Sequence, residues 1–306
     1  MSKSASKSQP KSQQRRPQHA PRREEPPEPV DPVWLVKAIA FTLLAAAICS
    51  YITFCLLFYQ GQWQLVLHPT RTSAAPQTIG GAPYELIHFG PDDSATPQLT
   101  GWWIPSPANG RYASITLLFL PGASGSLADS IPKLATLHSL GINIFAFDYR
   151  GYGQSAATHP NQQRMTHDTE DAWTYLTGSR HLLPTQIVPY GAGVGATLAI
   201  HLAAAHGAVP AVILDTPSGD LIDVARSDSR SKLLPLNLLF HENFPLAVPL
   251  TTLLTPKLIL SHEPGIPPAM FQKASDPKFI VELPVQDATI YPQSITRFLD
   301  QYLPTR

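Results

Sequence analysis

The sequence predicts an α/β protein: a mostly parallel central sheet flanked by helices, preceded by one transmembrane helix. Three observations predict it. A single uncharged apolar run occupies residues 38–59, β-type and helical runs alternate after it, and the central β-type runs are apolar without alternation.

Residues 1–32 come first, rich in Ser, Lys, Gln and Pro, with seven prolines and almost no large apolar side chain. Such a segment buries too little surface to offset the entropy of ordering it, so it is expected to be a disordered tail. Next, positions 38–59 contain neither a charge nor a proline, and formal charge is absent from Ala38 through Thr70. At roughly 1.5 Å per residue a helix of this length covers about 33 Å, enough for a hydrocarbon core of about 30 Å. Trp34 and Tyr59 flank it where amphipathic rings prefer the interface. The span is therefore set at 33–60. A cleaved signal peptide needs a shorter apolar core of roughly 7–15 residues and a shorter preamble. Neither Cys49 nor Cys55 follows a small residue, as a lipoprotein cleavage site requires. Eight Lys/Arg against four acids lie in residues 1–37, and only Arg71 follows the span closely. The positive-inside bias then predicts a single-pass protein with a cytoplasmic N-terminus and an extracytoplasmic domain.

The domain is expected over 61–306. Its β-type runs are 84–88, 99–104, 115–120, 143–148, 186–189, 211–215, 257–261 and 278–283. Helical patterns fall at 127–140, 165–177, 194–206 and 292–302. Runs such as Ile115 to Leu120 and Ile144 to Phe147 suit strands covered on both faces, which implies parallel pairing under helices. The irregular stretch 218–252 sits where such a sheet could carry a cap. Composition narrows the function. Both cysteines lie in the apolar run, so the domain has no thiol chemistry, disulfide framework or cysteine zinc site. The formal net charge is zero and no basic face or aromatic-rich motif stands out, which argues against nucleic acid. His167, Asp168, Glu170 and Asp171 crowd a predicted helix start, where acids complement the helix dipole. One histidine without a remote partner is not a coordination set, so neither metal nor cofactor is expected. The run from Gly191 to Gly195 does not have the glycine spacing of a dinucleotide loop.

Three local signals carry the rest. They are Leu120-Pro121-Gly122-Ala123-Ser124-Gly125, Phe147-Asp148-Tyr149-Arg150-Gly151-Tyr152-Gly153-Gln154-Ser155, and Ile187-Val188-Pro189-Tyr190-Gly191-Ala192-Gly193-Val194-Gly195-Ala196. In this order they resemble the α/β-hydrolase fold, specifically its serine-aminopeptidase-like, membrane-tethered ABHD-type branch, over roughly residues 62–306. The resemblance implies a serine nucleophile in a Gly-x-Ser-x-Gly elbow, followed in chain order by an acid and a histidine. Here the elbow reads Gly191-Ala192-Gly193-Val194-Gly195, so the nucleophile position is Gly193. The implied acid turn reads Ser261-His262-Glu263-Pro264-Gly265. Glu263 is either a stand-in acid or a solvated loop residue, and His262 resembles a structural strand-end histidine. The implied base region holds Val285, Gln286 and Asp287, and no histidine follows His262. Apolar and amide side chains cannot take the proton a general base must accept. Backbone N–H groups of Ala123 and Val194 remain able to hold an anion or carbonyl, because backbone donors survive side-chain change. Two expectations follow. One is a non-catalytic, membrane-tethered homologue acting by binding a small molecule or a protein. The other is an active esterase- or peptidase-like hydrolase with a non-standard nucleophile such as Ser124 or Ser126.

Overall fold

In the computed structural model, residues 31–72, 75–227, 232–262, 268–284 and 287–303 are described. The expected tail falls outside them, apart from its last two residues. The chain divides into two compact units, Met1–Ile52 and Thr53–Arg306. Helix α1 (Pro32–Gly61) begins with a proline in its first turn, where the missing N–H costs nothing. It starts and ends within one residue of the expected span. None of its residues is buried, and it is long and apolar enough to cross a membrane.

In the second unit the strands are β1 (His68–Pro69), β2 (Glu85–Pro91), β3 (Pro97–Ile104), β4 (Tyr112–Leu120), β5 (Ser124–Gly125), β6 (Ile142–Asp148), β7 (Ile187–Ala192), β8 (Val212–Asp215), β9 (Lys257–His262) and β10 (Lys278–Leu283). The main sheet runs β10-β9-β8-β7-β4-β6-β3-β2. Pairing is parallel from β10 to β6 and antiparallel only where β3 meets β6 and β2. All eight expected strands are in it. The two-residue pair β1–β5 was not foreseen; it ties His68 to Ser124 and Pro69 to Gly125.

Alternate residues of one strand enter opposite layers, which is why the strands read as unbroken apolar runs. Leu118, Leu120, Phe145 and Phe147 pack with Trp173 of α3 (Gln162–Thr174) and Leu198 of α4 (Gly195–Ala205). Leu117, Phe119 and Ile144 pack with Leu134 of α2 (Ile131–His138) and Phe298 of α9 (Ile290–Tyr302). The expected helix at 127–140 is split: residues Leu127–Ser130 form a tighter turn before α2. Between β8 and β9 the irregular stretch folds into α5 (Leu221–Ser227), α6 (Leu236–Leu239) and α7 (Ala247–Thr252); α8 (Pro268–Gln272) precedes β10.

The expected crowding of acids at a helix start is corrected. Helix α3 begins earlier, because the Asn161 side chain accepts the Arg164 N–H at 2.8 Å and caps it. The four residues therefore sit past the first turn and make side-chain pairs. Asp168 accepts from Arg150 Nε at 2.5 Å, His167 meets Asp171 at 3.1 Å, and His206 meets Glu170 at 2.9 Å. His167, Asp168 and Asp171 do present ligand atoms within 4.8 Å of one another, but the Arg150 guanidinium already occupies Asp168.

Candidate functional site

Strand β7 passes into α4 through Gly193, whose φ of +55° lies in the left-handed region that favours glycine. The three glycines of this elbow serve different ends. A Cβ on Gly191 would stand 2.2 Å from the Gly195 carbonyl oxygen, and one on Gly195 would stand 2.2 Å from that of Leu120. Both must lack a side chain so that strand and helix can approach. Gly193 has room, because its nearest neighbours would be Ser218 Oγ at 3.7 Å and Gly122 Cα at 3.8 Å. A Cβ at Gly193 would thus sit in ordinary van der Waals contact, without a clash. Its backbone is pinned by Gly193 N–H donating to Asp215 O at 2.9 Å and by Ser218 N–H donating to Gly193 O at 3.2 Å.

Facing it is the turn after β4. The Ala123 carbonyl accepts the His68 N–H and the Tyr152 hydroxyl, each at 2.8 Å. Tyr149 OH donates to Pro121 O at 3.2 Å. The Ala123 carbonyl is thus held from two sides. The Ala123 and Val194 N–H groups donate to no protein acceptor among the described residues.

The loop after β6 is clamped by Asp148, which is buried. Its carboxylate accepts the Leu127 N–H at 2.7 Å and the Gln154 N–H at 3.4 Å. Burial dominates and raises its pKa to about 6, against the lowering effect of those two N–H donors. A carboxylate with a raised folded-state pKa adds stability at low pH and loses it as pH rises through that value. The melting temperature of the wild type minus that of Asp148→Asn should therefore fall between about pH 4 and pH 6 and then level off. Thermal melts of both proteins across pH 3.5–7.5 check this; a flat difference would show that Asp148 does not titrate in that window.

Beside the elbow, Asp215 ends β8 fully buried. Its carboxylate accepts from Lys133 Nζ at 2.5 Å, from Thr216 Oγ1 at 2.9 Å and from the Tyr190 hydroxyl. The hydroxyls of Tyr190 and Tyr291 lie 2.6 Å apart. Burial and the Asp215 charge push both phenol pKa values up, so both tyrosines stay protonated donors. Thr216 Oγ1 also meets His262 Nδ1 at 2.8 Å, and His262 is exposed.

Of the residues singled out from sequence, Gly193, Ala123 and Val194 lie on these two facing turns. Glu263, Val285 and Gln286 lie outside the described residues. Asp287 accepts the Thr289 N–H and hydroxyl at 2.9 and 2.6 Å, and the hydroxyl bond, the larger effect, holds its pKa low. Ser124 belongs to β5, and the Ser126 hydroxyl is engaged by Asp129 at 3.1 Å. Neither is placed on the elbow. Sequence reasoning missed Ser218 and the Lys133–Asp215–Tyr190–Tyr291 cluster, which join segments distant in the chain.

No protein-family model matches the chain. The uncharacterized protein Rv2307c of Mycobacterium tuberculosis is 26% identical over 218 residues, covering 67% of this chain and 75% of that one. Human alpha/beta hydrolase domain-containing protein 17B is 33% identical over 119 residues, covering 39% of this chain and 41% of the relative. Among solved structures, the Pyrococcus furiosus esterase Pf2001 superposes with a TM-score of 0.62 at 17% identity, covering 78% of this chain and 99% of the esterase. With its sheet order and its strand–elbow–helix unit, the chain has the α/β-hydrolase fold.

Proposed function

We propose that this protein is a membrane-tethered α/β-hydrolase-fold protein that binds a carbonyl- or carboxylate-bearing ligand without cleaving it. The observation that carries this reading is Gly193, an elbow residue at φ +55° with no side chain, where a Cβ would meet no clash. Gly193 itself has no atom that can attack a carbonyl, while the free N–H groups of Ala123 and Val194 suit an oxygen bearing negative charge. The tether is α1, with the tail on the cytoplasmic side by the positive-inside bias.

A second reading, an active hydrolase, is favoured by one specific observation. Ser218 Oγ lies 3.7 Å from the point where a Gly193 Cβ would stand. A nucleophile also needs a base within hydrogen-bond reach, and the imidazole of His262 is instead bonded to Thr216.

The full chain in detergent micelles should show no fluorophosphonate label, and no hydrolysis of p-nitrophenyl acetate above buffer. Gly193→Ser should stay equally inactive, since a hydroxyl without a base gains little. A label mapped to Ser218 would establish the hydrolase reading, and turnover by Gly193→Ser would reveal a functional base.

A further inference from the structure

Just past the apolar part of α1 the chain forms an open-mouthed cavity of about 650 Å³. Its walls come from three places: the end of α1 with the following turn, the start of α3, and the loop between α6 and α7. They are fastened together. Gln62 is buried, its amide donating to Tyr59 O at 2.9 Å and Leu239 O at 3.1 Å, while its carbonyl accepts the His241 N–H at 2.6 Å. Glu242, also buried, accepts the Gln162 N–H at 2.5 Å, closing the first turn of α3.

The functional lining is aromatic and basic. Tyr59 meets the His241 ring edge-on at 5.0 Å, and Trp63 meets the His159 ring at 5.2 Å. Arg164 is exposed and holds the His159 carbonyl at 2.5 Å through one guanidinium nitrogen. It has no carboxylate partner among the described residues, which leaves its remaining donors for a ligand. Trp63 and His159 also line a second cavity of about 500 Å³, whose wall includes Leu57, an exposed apolar residue of α1. A basic chamber and a chamber with an apolar wall thus share one partition, at the point where the uncharged apolar run ends.

That juxtaposition matches a molecule with a phosphate beside a hydrocarbon chain. We propose that the larger cavity binds the headgroup of a membrane phospholipid, its phosphodiester on Arg164 between His159 and His241, with an acyl chain passing Trp63 toward Leu57. The fork of a guanidinium fits phosphate oxygens in pairs. Basic pockets next to membrane helices select headgroups in this way, and Trp and Tyr favour that depth. Glu242 also lines this cavity; burial raises its pKa against the lowering by the Gln162 N–H, which lessens its repulsion of a phosphate. The site is separate from the elbow, and its failure would leave the Gly193 reading standing.

The test is native mass spectrometry of the full chain in mild detergent, titrated with palmitoyl-oleoyl phosphatidylethanolamine. One retained lipid is expected, with retention weakened about tenfold in Arg164→Ala at an unchanged melting temperature. Arg164→Gln keeps a donor for the His159 carbonyl and should lose the lipid equally, which separates headgroup binding from folding. Equal retention by wild type and both variants would overturn the proposal. So would equal retention of a diacylglycerol with the same chains, or displacement of the lipid by equimolar inorganic phosphate.

Discussion

Gly195→Ala is expected to lower the melting temperature by more than about 10 °C, whereas Gly193→Ala should cost only about 1–2 kcal/mol. The two glycines are two residues apart in one turn, but they answer different physical demands. A Cβ at 195 would lie 2.2 Å from the Leu120 carbonyl oxygen and 2.6 Å from that of Pro121. Both are backbone atoms of the central strand's exit and have no rotamer by which to yield. Overpacking of an interior typically costs about 1–3 kcal/mol where side chains can adjust, and more where they cannot. At roughly 2–4 °C per kcal/mol for a domain of this size, a loss of more than 10 °C is expected for Gly195→Ala. At 193 only the positive φ resists a side chain, since the nearest atoms stand 3.7 Å away or more. Melting curves of the two variants decide the matter: comparable losses would mean that the elbow is closed around Gly193 and offers no room.

Asp215→Ala should lower stability by about 2–3 kcal/mol, or roughly 5–10 °C in melting temperature. Removing one member of a fully buried ion pair typically costs about 3–5 kcal/mol, because the survivor is left uncompensated. Here the survivor, Lys133, has 36% of its side chain exposed and can turn to water, which sets the lower range. The loss that remains comes from Tyr190, whose buried hydroxyl would keep only Tyr291. Asp215→Asn retains one acceptor oxygen and should lose less. Chemical denaturation of both variants checks the order; an Asp215→Ala protein as stable as wild type would show the cluster to be energetically idle.

The strands were legible because the physics that forms them is local in sequence. Leu117 and Leu118 face opposite helical layers, so neither face needs a polar residue and the run stays apolar. The elbow was legible for the same reason, with its glycines at a fixed spacing inside one strand–helix unit. What escaped depends on distant chain. The β1–β5 pair is two residues long and made of backbone bonds, which leave no periodicity to read. Ser218 meets the elbow across 25 positions, its N–H donating to the Gly193 carbonyl at 3.2 Å. Lys133 finds Asp215 across 82 positions, and no pattern in either neighbourhood announces the other. Helix α3 starts three residues before the expected 165, because the Asn161 side chain caps it there.

The small β1–β5 ladder also acts as a leash. Only Gln62 to Leu67 separate the last residue of α1 from His68, whose N–H is fastened to the Ala123 carbonyl at 2.8 Å. Even fully stretched, a link this short reaches about 25 Å at roughly 3.6 Å per residue. The Ala123 turn therefore cannot wander from the end of the helix. A group held at the end of α1 needs to project no farther than that distance to reach the Ala123 turn.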